Sequence, residues 1–317
     1  MALKTRSAAP AQNSKIALMF PGQGVQHVGM GKALAETYPV ARRTFAEASD
    51  VLGYDIAKAC FFGPEGRLNA TLTCQPAIVT VSVAALRVAQ EHGLDGDIVM
   101  GHSLGEYTAL VANGSLRFSD ALTIVARRAE LTAGVAAETP GAMVALLGVA
   151  LGAARKLCAQ AGEVWVANDN CPGQVVASGH RAGVERLLEI ARVEGLRTRL
   201  LDVDGAFHSR VMTPAVDGLR TALRGVRIGT PTMPFLSSTT ARLETGDGLR
   251  DLLVRQLTSP VRFRAAVRSA LPLGVDRFVE LGPRQVLGGL VSRATGSGRT
   301  IHFGSPEHLP LLATILT

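Results

Sequence analysis

The chain has 317 residues, enough for one large domain or two, and 47% of them are hydrophobic. A formal charge of +7 points to an acidic partner, while an aromatic content of 4% and arginines scattered through the second half argue against a nucleic-acid surface. No apolar run reaches the roughly 18 residues that span a bilayer, and Cys60, Cys74, Cys158 and Cys171 have neither C-x-x-C nor metal-ligand spacing.

Residues 1–15 form a polar stretch without the apolar segment of a secretory signal and read as a disordered lead. With reduced thiols and no membrane segment, the expectation is a cytoplasmic protein. Residues 16–20 (IALMF) run into Pro21-Gly22 and read as a buried strand entering a loop. Helical patterns follow over 28–52 and 74–92, the second with Gln75-Pro76 at its start. Residues 97–101 read as a strand, Ser103 as the turn after it, and 105–113 as a helix. A further helix covers 120–137 and stops near Pro140-Gly141. Strands alternating with helices predict an α/β fold with a mainly parallel sheet.

After residue 141 the order changes. A strand at 142–149, a helix at 151–161, strands at 164–168 and 174–178 around a turn at 169–173, a helix at 181–194 and a strand at 198–203 follow in turn. The order βαββαβ is that of a ferredoxin-like unit. It is expected as a small subdomain over 141–205, inserted into a large domain made of 16–140 and 206–317. The large domain resumes with strand at 226–236, a helix at 246–257 and a strand at 277–280.

The segment GHSLGEYTAL at 101–110 places a G-x-S-x-G sequence between a strand and a helix. That is the pattern of a nucleophile elbow, where glycines two residues either side of the serine let the chain reverse without collision. The turn lifts the Ser103 hydroxyl above the sheet and sets the Leu104 N–H at a helix N-terminus, where an oxyanion is favoured. A serine at its ordinary acidity needs a base. The candidates are His27, His92, His102, His180, His208, His302 and His308. His102 adjoins the serine, but neighbours at a tight turn point apart. His208 lies in GAFHSRVM, on a loop where the insert returns to the main domain.

The motifs FPGQG (20–24), TCQPA (73–77), GHSLGEY (101–107), GAFHS (205–209) and LGPRQVL (281–287) occur in the order seen in malonyl-CoA:acyl carrier protein transacylases, a family that includes the acyltransferases of polyketide synthases, and the chain resembles that family over about residues 16 to 290. The resemblance implies an α/β-hydrolase-like large domain with a ferredoxin-like insert. It implies Ser103 as the acylated nucleophile and His208 as its base, with Gln23 as the second oxyanion donor beside Leu104. Backbone carbonyls around Ser259, in LTSPV, are implied to orient the histidine, so Asp202 and Asp204 need no catalytic part. Arg128, in SDALTIVARRAELTAGV, is implied to clamp the free carboxylate of a malonyl group, with Arg127 beside it as the competing candidate.

Two departures from the family pattern bear on the acyl pocket. Thr132 and Ala133 stand where a Met-Gln pair is common, which reshapes the pocket and admits an unusual acyl unit. Gly205 stands where modular enzymes often have histidine, and with Phe207 this resembles stand-alone malonyl enzymes; His102 is a further pocket residue. The implied activity moves a malonyl or related carboxyacyl group from coenzyme A to the phosphopantetheine thiol of an acidic acyl carrier protein. It serves polyketide or fatty-acid biosynthesis, with GHSLGEY and GAFHSRVM leaning towards a discrete polyketide enzyme. No resident cofactor, metal, nucleic acid or membrane is implied, and a monomer is the default. Arg181, Arg186 and Arg210 are candidates for docking the carrier. Two rival readings, a proofreading acyl-carrier-protein thioesterase and a non-catalytic carrier-binding scaffold, fit the fold but leave Arg128 or the serine and histidine without a use.

Overall fold

The computed structural model describes residues 14–203, 205–246, 248–296 and 299–316. Its strands are β1 (Lys15–Phe20), β2 (Ile98–Gly101), β3 (Gly141–Leu147), β4 (Val164–Cys171), β5 (Gln174–His180), β6 (Arg197–Leu200), β7 (Phe235–Leu236), β8 (Leu243–Glu244), β9 (Val275–Leu281) and β10 (Arg299–Phe303). One sheet has the order β10-β9-β1-β2-β7-β8, with every pairing parallel except β7 with β8. β1 lies inside this sheet and is covered on both faces, which is why IALMF is apolar without alternation. Phe20 is in register with Gly101, so the loops after β1 and β2 leave side by side. The carboxyl ends of parallel strands are where α/β folds form their crevices.

The second sheet has the order β4-β5-β3-β6 and is antiparallel throughout. β3 shows why it is buried on both sides. Ala142, Val144 and Leu146 pack with residues of the helices Leu151–Ala161 and Arg181–Val193, while Met143 and Ala145 join the core of the large sheet. The small sheet is therefore clamped between its own helices and the rest of the molecule. Its β4 edge also makes a backbone clasp: Asp169 N–H donates to Val261 O at 2.8 Å, and Val261 N–H to Ala167 O at 2.8 Å. The α/β class and the mainly parallel main sheet agree with the sequence expectation.

Several local expectations are corrected. Lys15 belongs to β1 rather than to a lead, and residues 1–13 lie outside the described residues. The pattern at 28–52 is two helices, Lys32–Thr37 and Pro39–Leu52, parted at Tyr38 because proline favours a helix start and disfavours helix before it. The helix Thr71–Glu91 begins a turn earlier than expected and continues through Pro76. The carbonyl that loses its partner belongs to Leu72, an exposed residue of the helix's first turn. This helix is long and apolar enough to cross a membrane, yet 89% of its apolar window is buried, so it is the core helix. The turn expected at 169–173 shrinks to Pro172-Gly173, since Cys171 pairs with Gln174 and the polar run NDNC continues β4. The strand expected at 226–236 survives only as β7, because Pro231 and Pro234 remove ladder donors.

Candidate active site

Ser103 sits between β2 and the helix Gly105–Ala112, at the left-handed φ of 54°. The glycines around it are sterically required. A Cβ on Gly101 would lie 2.1 Å from the Gly105 carbonyl carbon, and one on Gly105 would lie 2.0 Å from Phe20 O. Neither obstacle is a side chain that can swing away. A serine at positive φ is strained, and His208, with φ 59°, shares that strain.

The two strained residues, 105 apart in sequence, meet: Ser103 Oγ lies 2.6 Å from His208 Nε2. On the other side of the ring, His208 Nδ1 lies 3.0 Å from Gln256 O and 3.1 Å from Ser259 O. Carbonyls only accept, so Nδ1 carries the hydrogen, and Nε2 is left as the acceptor for the serine hydroxyl. Burial, and then the Arg128 cation, push the His208 pKa down to about 3, against a smaller upward pull from the two carbonyls. The imidazole is thus neutral near pH 7 and able to take a proton. Its hydrogen-bond partners on the Nδ1 side are carbonyls, not a carboxylate. Asp202 is exposed, and Asp204 lies outside the described residues.

Among the described residues, the Leu104 and Gln23 backbone N–H groups near the serine are uncommitted. The N–H groups of Gly105, Glu106 and Tyr107 are used by the carbonyls of His102, Ser103 and Leu104, which leaves the Leu104 N–H without an acceptor among the described residues. The Gln23 N–H is likewise free, in a loop pressed against the elbow: a Cβ on Gly22 would lie 2.6 Å from His102 O.

Arg128 lies on the helix Phe118–Glu138 with only 1% of its surface exposed. Its Nη1 donates to Gln75 Oε1 at 2.5 Å, its guanidinium lies 5.9 Å from the Tyr107 ring centre, and its Nε has no partner. Among the described residues no carboxylate pairs with it. Arg127, one residue earlier, turns outward to an ion pair with Glu130 at 2.7 Å. The neighbouring Thr132 donates to Arg128 O at 2.9 Å and accepts from Gln75 Nε2 at 3.4 Å. Its hydroxyl therefore steadies the glutamine that holds the guanidinium, while Ala133, on the same helix, is half-buried. Phe207 is buried beside His208.

A cavity of about 600 Å³ opens beside the elbow, lined among others by Gln23, His102, Asn168, Asn170, Arg199 and Arg284. His102 Nε2 is fixed to Asn170 Oδ1 at 2.8 Å and its ring lies near Phe263, so that nitrogen is committed elsewhere than to Ser103 Oγ. Burial lowers its pKa as well. A second cavity of about 460 Å³ reaches His208 and is rimmed by Arg155, Arg210, Arg262, Arg264 and Arg268. Arg210 lies over the Trp165 ring and Arg186 over the carbonyls of Ala161 and Gly162, while Arg181 is exposed. Gln75, Glu106 and Gln256 are site residues that sequence reasoning did not single out. Gln75 stood within TCQPA and Glu106 within GHSLGEY, but nothing in the sequence marked Gln256.

Residues 18–302 match the family model described as "Acyl transferase domain". The chain is similar to the malonyl CoA-acyl carrier protein transacylase of Bacillus subtilis (strain 168), at 40% identity over 304 residues covering 94% of this chain and 96% of that one. The Escherichia coli (strain K12) protein of the same name is 41% identical over 286 residues, 88% of this chain and 93% of its own. Among solved structures, the acyl-carrier-protein S-malonyltransferase of Burkholderia pseudomallei 1710b superposes with a TM-score of 0.90 at 39% identity, over 94% of this chain and 99% of that one. A malonyl-transacylase solved in complex with its type II PKS acyl-carrier protein superposes with a TM-score of 0.92 at 37% identity, over 95% and 100%.

Proposed function

The chain belongs to the acyl transferase family, and we propose that it carries malonyl groups from coenzyme A to the phosphopantetheine thiol of an acyl carrier protein. In this reading Ser103 Oγ attacks the thioester carbonyl while His208 Nε2 takes its proton. The oxyanion is held by the Leu104 and Gln23 N–H groups. Collapse of the tetrahedral intermediate expels the coenzyme A sulfur, which receives the proton from His208 Nε2, and Ser103 is left as a malonyl ester. In the second half the carrier's thiol gives its proton to His208, attacks the ester, and returns Ser103 as the hydroxyl. The Gln256 and Ser259 carbonyls keep the imidazole in one tautomer through both halves. Arg128 grips the malonyl carboxylate, since a buried guanidinium lacking an anion suits a planar two-oxygen partner.

The observation that carries the reading is the 2.6 Å contact of Ser103 with a neutral, carbonyl-oriented His208. Support for an acidic carrier comes from the net charge of +7 and the arginines around the second cavity. Free, buried cysteines accord with a cytoplasmic enzyme. Incubation with malonyl-CoA followed by intact-mass and peptide analysis tests the proposal. One malonyl group is expected on Ser103, transferable to a phosphopantetheinylated carrier. Malonyl transfer that persists in Ser103→Ala would overturn the nucleophile, and release to water in place of the carrier would turn the reading into a hydrolase.

A further inference from the structure

Glu106 lies three residues beyond the nucleophile and is fully buried, yet the chemistry above gives it nothing to do. Its Oε1 accepts from Ser237 Oγ and Ser238 N at 2.7 Å and from Ser238 Oγ and Thr239 N at 3.2 Å. Its Oε2 accepts from Thr239 Oγ1 at 3.1 Å and from Gln256 Nε2. Among the described residues it has no ion-pair partner, so all its hydrogen bonds come from neutral donors, with the Arg128 cation acting on it only through its field. Such a cage is costly to build unless the charge is used.

Gln256 shows the use. Its Nε2 donates both to Glu106 Oε2 and to Ser103 O, the latter at 3.0 Å. Both partners are acceptors, which fixes the amide orientation and leaves Gln256 Oε1 buried without a partner. Gln256 ends the helix Gly248–Gln256, so its main-chain carbonyl has no partner within the helix; it takes a long bond from Ser259 N–H at 3.4 Å and receives His208 Nδ1–H. A closed circuit results: Glu106 holds the Gln256 side chain, the Gln256 backbone holds the imidazole, the imidazole holds Ser103 Oγ, and the Gln256 amide returns to Ser103 O.

We propose that Glu106 is a positioning residue for the acyl transfer, the remote counterpart of the aspartate in a Ser-His-Asp triad. It acts on the carbonyl that orients the base and does not touch the base. This rests on the malonyl-transfer reading. A wild-type protein that forms no malonyl-serine rejects that reading, whereas active wild type with unaffected variants rejects only the positioning role.

The test compares wild type, Glu106→Gln, Gln256→Ala and the double variant in steady-state transfer and in single-turnover acylation by malonyl-CoA. Each single variant is expected to lose about 10- to 100-fold in kcat and in acylation rate, with KM for malonyl-CoA within about twofold. The double variant is expected to fall no more than about threefold below the worse single one, because both changes open the same circuit. Unchanged rates, a loss confined to KM, or fully additive losses would each overturn the proposal. Glu106 also favours the Arg128 cation, and an effect exerted by that route would appear in KM and in malonyl preference instead. Should Glu106→Gln not fold, Gln256→Ala keeps the main-chain carbonyl and removes the side-chain links to Glu106 and to Ser103 O. An unchanged acylation rate in that variant is sufficient to reject the role.

Discussion

Replacing Arg128 by methionine separates substrate recognition from stability. Methionine keeps an unbranched stem at the buried position and removes the charge. In the free protein the guanidinium is 1% exposed, bonded to a neutral amide, and has an unpartnered Nε. Removing a buried cation that lacks an ion-pair partner should leave resting stability unchanged or raise it. With malonyl bound, the same cation meets a carboxylate out of water, and truncating one partner of such a pair costs about 2–5 kcal/mol. At about 1.4 kcal/mol per tenfold, kcat/KM for malonyl-CoA should drop between about 30-fold and several thousand-fold. Acetyl-CoA has no carboxylate, so its slow acylation of Ser103 should hold steady or improve. The assay is competition between the two thioesters, read as the ratio of acyl-serine products by mass spectrometry, beside a thermal melt of each protein. A malonyl-to-acetyl ratio within a few-fold of wild type would refute the clamp. A Tm that falls as steeply as activity would show that Arg128 holds the fold together and does not recognise the substrate.

With its pKa near 3, His208 should stay a working base into mildly acidic solution, so the acid limb of kcat/KM is expected well below the ordinary histidine value of 6.5. In Arg128→Met that limb should move upward, because the cation is one of the forces holding the pKa down; a wild-type limb near 6.5 would contradict the burial. The same shift predicts that stability falls as pH drops from 6.5 towards 3, since the unfolded chain binds a proton there that the folded one excludes; calorimetry with His208→Asn as reference should show the slope weakened. Gly105→Ala should fail to give soluble folded protein, as its Cβ would lie 2.0 Å from a main-chain oxygen, and a variant melting within a few degrees of wild type would refute the steric argument. Burial raises the thiol pKa of Cys74 to about 12 and of Cys158 to about 11, so an aromatic disulfide reagent should label neither until the protein is denatured.

What was legible in the sequence was what local chemistry dictates. The apolar run of β1 and the paired glycines around Ser103 announce a covered strand and a tight turn, because each is a short-range steric demand. The choice between Arg127 and Arg128 is also written in the helix: Ile124, Val125, Arg128, Ala129 and Thr132 share the buried stripe, and Arg127 falls opposite. The joining of His208 to Ser103 across 105 residues is a tertiary fact, and only resemblance to a family supplied it. Gln256 was invisible because its decisive atom is a main-chain oxygen, which every residue possesses. The run DNC at 169–171 looked like part of a turn because Asn and Asp favour turns, whereas here register shifts in β4 and burial hold it in the strand.

The absence of a carboxylate from the imidazole's contacts follows from the neighbourhood Arg128 creates. The guanidinium lies close enough to His208 to depress its pKa. An aspartate placed on Nδ1 would sit within the same field, pair with the guanidinium, and compete with the malonyl carboxylate for it. Neutral carbonyls orient the ring without offering that competitor. They also leave the base weak, but the leaving group here is a thiolate, which departs with far less protonation than an amine does. The negative charge on Glu106 accepts from hydroxyl, amide and backbone donors and makes no ion pair with Arg128, which it reaches only through its field. On the proposed reading, the buried cation and the histidine stay compatible because the orienting carboxylate is one residue further out, behind Gln256.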